Sequence, residues 1–141
     1  MKIIYFSQTG NTEKMANLIL EGIEAEGKKA DLIEVSSISP DDVKSEEILI
    51  LGCSAYGSEE LEESEMEPFV KALEGNIQGK KVALFGSWGW GNGEWMSEWE
   101  KRMESYGAIL VSEGLTVQET PEGEDEDRCV SFGKLIAQKS V

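Results

Sequence analysis

Phe6-Ser7-Gln8-Thr9-Gly10-Asn11-Thr12 is the stretch whose reading organises the rest of the chain. The apolar run Lys2-Ile3-Ile4-Tyr5-Phe6 stops there in the manner of a short buried strand. Met15, Leu18, Ile19, Gly22 and Ile23 then recur at the spacing of one helix face. A strand that enters a helix through a tight Ser/Thr/Gly/Asn turn leaves backbone N–H groups unpaired at the helix start, and an anion can satisfy them. The loop contains no Lys or Arg. A phosphate there would be held by amides, hydroxyls and the helix dipole, not by ion pairs. Ser7, Thr9 and Thr12 are also common capping residues, and capping a helix needs only one such side chain. Neither GxxxxGK(S/T) nor GxGxxG is present, which weakens nucleotide-hydrolase and dinucleotide readings alike.

Outward from this turn, strand and helix patterns alternate. After the first helix, with Gly27 as its C-cap, Ala30 to Val35 reads as a strand and Ser36 to Val43 as a connection or short helix. Glu47 to Cys53 is a nearly continuous apolar run, as in a strand covered on both faces. Met66, Phe69, Val70 and Leu73 mark a helix, Lys81 to Gly86 a fourth strand, and Met96, Trp99, Met103 and Tyr106 another helix. Ala108 to Val111 begins a fifth strand that resumes at Leu115 to Val117. Cys129, Phe132, Gly133 and Ile136 line a last helix, preceded by the acidic run Glu122 to Asp127. Five alternations without a repeat or linker predict one doubly wound α/β domain over residues 1–141, with a parallel sheet and helices on both faces.

With 141 residues and 40% hydrophobic content, the chain suits a single core. Its apolar stretches fall short of the ~20 residues that span a bilayer, and no signal segment opens it, so a cytoplasmic protein is expected. There is no histidine, and Cys53 and Cys129 stand apart, both in apolar patterns that suggest buried thiols. No metal site and no histidine triad are expected. A phosphatase loop would need Arg at position 59, where the chain has Glu59. The net charge of −15 repels nucleic acid and anionic membranes and favours basic protein partners.

In a doubly wound sheet every strand-to-helix turn lies at one edge. That gathers Ser7–Thr12, the second turn Ser54-Ala55-Tyr56-Gly57-Ser58-Glu59, and the third turn Ser87-Trp88-Gly89-Trp90-Gly91-Asn92-Gly93. The first supplies phosphate donors. Tyr56, Trp88 and Trp90 supply flat faces for a planar ring, although either Trp can also fold back onto the core. With these residues in view the chain resembles the flavodoxins, specifically the short-chain type. Ser7 to Thr12 matches the T/S-x-T-G-N-T signature, and Ile48–Gly57 and Ala83–Gly91 match the flavin-holding strands and loops.

The resemblance implies a five-stranded parallel sheet of order 2-1-3-4-5 and bound FMN. Flavodoxin with FMN is itself a standard illustration of the switch-point rule, so the location is inherited from that case. It implies that Ser7, Gln8, Thr9, Asn11 and Thr12 bind the phosphate, with Gly10 in the same cofactor-binding loop and Ser54 and Ser87 nearby, and that Trp90 and Tyr56 flank the ring. Ala55, Trp88, Gly89 and Gly91 complete the loops. The Gly57 carbonyl would accept a hydrogen bond from the half-reduced flavin N5, Ser58 follows it in the same turn, and Glu59 would accept from N3–H, with Glu60 as a substitute. Glycine suits the flipping peptide because it tolerates positive φ. Glu59, Glu60, Glu62, Glu63, Glu65 and Glu67, together with Glu122 and Glu124 to Asp127, are expected to form a negative rim at the same edge. The resulting expectation is a low-potential one-electron carrier, monomeric, with no catalytic residue, that meets basic faces of redox proteins. The alternative is an FMN-dependent NAD(P)H:quinone or nitro reductase on the same fold. A signalling receiver needs acidic residues where Ser7-Gln8 and Cys53-Ser54 stand.

Overall fold

A computed structural model describes residues 1–8, 10–55, 61–62, 64–89 and 93–140. The strands are β1 (Lys2–Phe6), β2 (Asp31–Glu34), β3 (Ile48–Cys53), β4 (Lys81–Trp88), β5 (Ile109–Leu110) and β6 (Leu115–Gln118). The helices are α1 (Asn11–Ala25), α2 (Met66–Ala72), α3 (Glu94–Ser105) and α4 (Glu124–Gln138), and two 3₁₀ turns, Val35–Ser37 and Pro40–Val43, join β2 to β3. The sheet runs β2-β1-β3-β4-β5 with every pairing parallel, the order expected from the resemblance.

Alternation with a period of two sorts the strand side chains into two cores. Ile3, Tyr5, Ile48, Ile50, Ala83 and Phe85 face α1 and α4, which contribute Met15, Ile19, Phe132 and Ile136. Ile4, Leu49, Leu51, Val82 and Leu84 face α2 and α3, which contribute Phe69, Val70, Trp95, Trp99 and Met103. Because both faces are covered, the strands read as apolar runs, and each fully buried Ile or Leu contributes about 1.5–3 kcal/mol. α1 and α4 touch backbone to backbone. A Cβ on Gly22 would lie 2.0 Å from the Val130 carbonyl oxygen, and one on Gly133 would lie 2.0 Å from that of Ile19.

The fifth sheet position differs from a single strand. The first half of β4 pairs with β5 and the second half with β6, so two short strands share one place. The break falls at Ser112-Glu113-Gly114, where the Gly114 N–H donates to Glu100 Oε2 at 2.8 Å and a Cβ would strike Met96 Sδ at 2.3 Å. β4 also continues past Gly86 to Trp88, because Ser87 and Trp88 pair with Val117 and Gln118. The acidic run does not simply precede α4. Glu124 to Asp127 form its first turn, where carboxylates favour the helix dipole.

Candidate functional site

The turns after β1, β3, β4 and β6 all lie at the carboxyl edge of the sheet, and hydrogen bonds join them in series. In the first, the Gly10 N–H donates to Ser7 Oγ at 3.1 Å. Gly10 is the N-cap of α1 at φ +94°, a left-handed conformation that glycine adopts without a Cβ clash. Having no side chain, Gly10 gives α1 no side-chain cap. Ser7 and Thr12 therefore do not act as the N-cap of this helix, and Thr12 is employed elsewhere. Its buried Oγ1 lies 2.6 Å from Ser54 Oγ at the end of β3.

The Ala55 N–H donates to the Ser87 carbonyl at 3.0 Å, tying the second turn to the third. Ser87 is buried, and its hydroxyl donates to the Glu119 carbonyl at 2.7 Å. Glu119 lies at φ +59°, strained for a residue with a Cβ, and its N–H donates to the Trp88 carbonyl at 2.7 Å. The Thr120 hydroxyl closes the series by donating to Asn11 Oδ1 at 2.7 Å. The sequence reading places Glu122 of this fourth turn, Glu119 to Gly123, at the same edge as part of the negative rim but assigns none of its residues to the cofactor site. The signal was present: Pro121-Glu122-Gly123 stands between a strand and a helix, like the other three.

Of the expected site residues, Ser7, Gln8, Gly10, Asn11, Thr12, Ser54, Ala55, Ser87, Trp88 and Gly89 are described, and all lie on these turns. Gln8 and Gly89 are exposed. Trp88 is half-buried against the α2/α3 core. Thr9, Tyr56, Gly57, Ser58, Glu59, Glu60, Glu63, Trp90 and Gly91 lie outside the described residues.

Among the described residues, part of the expected negative rim is buried or paired. Glu62 is buried, and its carboxylate ties together the segment that enters α2 by accepting from the N–H groups of Ser64 at 2.7 Å, Glu65 at 2.8 Å and Met66 at 3.1 Å, and from the Ser64 hydroxyl. Burial alone would raise its pKa, but the Ser64 hydroxyl and the three amides outweigh it and hold the group below its ordinary value. Glu67 accepts two bonds from Arg102, at 2.7 and 2.6 Å, and this pairing lowers its pKa despite partial burial. Glu126 pairs with Lys14 at 3.3 Å and Asp125 with Arg128 at 3.2 Å. Glu65, Glu122, Glu124 and Asp127 are exposed.

Cys53, next to Ser54, is fully buried, and its thiol is pushed up to about 12 chiefly by desolvation. Cys129 is raised by burial to about 11. Neither supplies a thiolate nucleophile at neutral pH. Among the described residues no group of three His, Cys, Asp or Glu could hold a metal, and no helix is long and apolar enough to cross a membrane.

The donors at this edge fit a phosphate ester. Two hydroxyls in contact share one hydrogen between them, so the Thr12–Ser54 pair keeps a second hydrogen to donate elsewhere. The neighbouring start of α1 adds backbone amides and the positive end of a dipole.

Comparison with known proteins agrees with this architecture. The sequence model of the family described as Flavodoxin matches residues 3–133. The chain is 55% identical over 137 residues to the flavodoxin of Clostridium beijerinckii, covering 97% of this chain and 99% of that one. It is 44% identical over 138 residues to that of Megasphaera elsdenii, covering 98% of each. The solution structure of the two-electron reduced Megasphaera elsdenii protein superposes with a TM-score of 0.88, covering 97% of this chain and 98% of that chain at 43% identity. By its motif, its sheet order and these likenesses, the chain belongs to the flavodoxin family, whose members bind FMN and carry electrons instead of acting as enzymes.

Proposed function

We propose that residues 1–141 are one FMN domain in which the four tied turns hold the cofactor and leave one edge of its ring for electron exchange. Ser7, Gln8, Thr9, Gly10, Asn11 and Thr12 take the phosphate, with Ser54 as a further hydroxyl donor. The observation that carries this assignment is the Thr12–Ser54 contact of 2.6 Å, which joins two segments remote in sequence beside an N-terminus without a side-chain cap. Tyr56 and Trp90 flank the ring. The packing of Trp88 on the core favours Trp90 over Trp88 for that role. Ser87 keeps its hydroxyl on Glu119 and so acts by fixing the third and fourth turns. Ala55, Gly89 and Gly91 shape the walls, Gly57 and Ser58 form the turn at the flavin N5, and Glu59 accepts from the flavin N3–H.

FMN, when bound, supplies a ring that takes up and releases single electrons. The chain binds and orients it, and its Ser7–Thr12 turn carries no Lys or Arg. A carboxylate roughly 10 Å away disfavours added negative charge by about 0.4 kcal/mol, so the exposed acids assist a low potential without setting it alone. The same charge suits basic faces of redox partners and raises their on-rates. A cytoplasmic monomer is the form this surface suits. The reading is tested by coulometric titration of the FMN-loaded protein and by electron delivery to a basic redox enzyme at increasing salt. Two separate one-electron steps and a rate that falls with salt support it. Steady NAD(P)H consumption by the isolated protein would overturn it in favour of a reductase.

A further inference from the structure

Lys14 lies on the first turns of α1, immediately beyond the Ser7–Thr12 loop. Its Nζ donates to the Pro121 carbonyl at 2.7 Å and sits 3.3 Å from Glu126 Oε2. Pro121 is buried within the Glu119–Gly123 turn. The turn is thus fastened on one side to α1, through Lys14 and the Thr120–Asn11 bond, and on the other to Ser87 and Trp88. α1 and α4 both follow parallel strands on one face of the sheet and touch at Gly22 and Gly133, so their N-termini stand side by side. The α1 end begins Asn11-Thr12-Glu13, with one carboxylate in its first turn, whereas α4 begins Glu124-Asp125-Glu126-Asp127, with four. Those carboxylates suit the dipole of α4 but oppose a dianion at the adjoining end of α1. The Lys14 ammonium stands between the two.

We propose that Lys14 is a positioning residue for FMN, clasping the Glu119–Gly123 turn onto α1 and shielding the phosphate end of the site from the carboxylates of α4. The proposal rests on the phosphate assignment above. Shielding acts on the phosphate charge and not on the ring. Loss of the ammonium should therefore cost affinity for FMN while sparing riboflavin, which has the same ring and ribityl chain without the phosphate. A mechanical clasp alone would affect both ligands equally.

The experiment measures Kd for FMN and for riboflavin in the wild-type, Lys14→Met, Lys14→Gln, Lys14→Arg and Lys14→Met/Glu126→Gln proteins at low and moderate salt, with thermal melts to establish folding. Lys14→Met is expected to weaken FMN about tenfold and riboflavin by less than about twofold, with the gap narrowing as salt rises. Arg should restore most of the loss, and the added Glu126→Gln change should recover part of it. Lys14→Gln keeps a donor for the Pro121 carbonyl but no charge, and it carries the comparison if the Met variant does not fold. Equal losses for the two ligands would overturn the shielding role, and unchanged FMN affinity would overturn the proposal entirely. If the wild-type protein binds riboflavin as tightly as FMN, the phosphate assignment itself fails, and that result is independent of every Lys14 variant.

Discussion

At the carboxyl edge of the sheet Thr12, Ser54, Ser87 and Thr120 join separate segments through neutral hydroxyls, whereas at the amino edge the joining groups are ammonium ions. There Lys80 Nζ donates to the carbonyls of Lys44 and Glu46, and Lys81 Nζ donates to that of Lys139 at 2.9 Å. The chain's amino terminus and Lys2 both engage Glu46. A lysine is a sound tie where only stability is at stake. It would be a poor one beside a ring that must accept an electron without being stabilised by a nearby cation. Hydroxyls hold the carboxyl edge without adding charge, and the Thr12–Ser54 pair keeps one hydrogen to donate to a phosphate. Lys14 stands apart from this division, with its charge directed at Glu126.

The widest separation between the edges should come from Thr12→Val. Loss of a buried hydroxyl and its partner costs about 1–3 kcal/mol, so FMN affinity is expected to fall by roughly tenfold to a hundredfold in a fluorescence titration. The melting temperature of the FMN-free protein should move by only a few degrees, roughly. Lys80→Met should do the reverse. Removal of a charged donor from two carbonyls is expected to lower unfolding free energy by about 1.5–3 kcal/mol in denaturant titration, with FMN affinity unchanged. A drop in affinity there would mean that the two edges are not independent.

Acid sharpens the comparison further. Glu62 and Glu67 are held below their ordinary carboxyl value of 4.5, so each binds its proton more weakly folded than unfolded. Their contribution to stability is complete above that value and disappears as pH falls through the folded one. Urea midpoints should decline below about pH 4.5, and less steeply in Glu67→Gln than in the wild type. The smallest effect expected is the near absence of thiol alkylation at pH 8 in the native protein, since Cys53 and Cys129 are both buried and raised to about 12 and about 11. Both thiols should react once the chain is unfolded. Rapid native labelling of Cys53 would show that the end of β3 is less closely packed than its contacts require.

Local patterns made most of the architecture legible in the sequence. The Phe6-to-Thr12 stretch announces a strand, a turn and a helix start, and the continuous apolar runs announce strands covered on both faces. What local pattern could not reveal is where each polar group finds its partner. Glu62 and Glu67 are written like their exposed neighbour Glu65, yet one is buried as the acceptor for three amides and the other is gripped by Arg102, which is 35 positions away in sequence. Trp88 reads as part of a glycine-rich loop, but its pairing with Gln118 keeps it in β4. The interruption between β5 and β6 is legible in the sequence, but the Glu100 and Met96 contacts of α3 that meet it at Gly114 are not. The Glu119–Gly123 turn was legible, because the rule that gathers the other three turns at one edge applies to it equally.

On the assignment proposed above, neutral donors at the carboxyl edge grip the phosphate of FMN. The most direct measurement is titration of the cofactor-free protein with FMN and with riboflavin, following quenching of flavin fluorescence. One FMN should bind per chain, with riboflavin binding at least roughly a hundredfold more weakly, the equivalent of about 2.7 kcal/mol in phosphate contacts. Equal affinity for the two flavins, or no quenching by either, would contradict it.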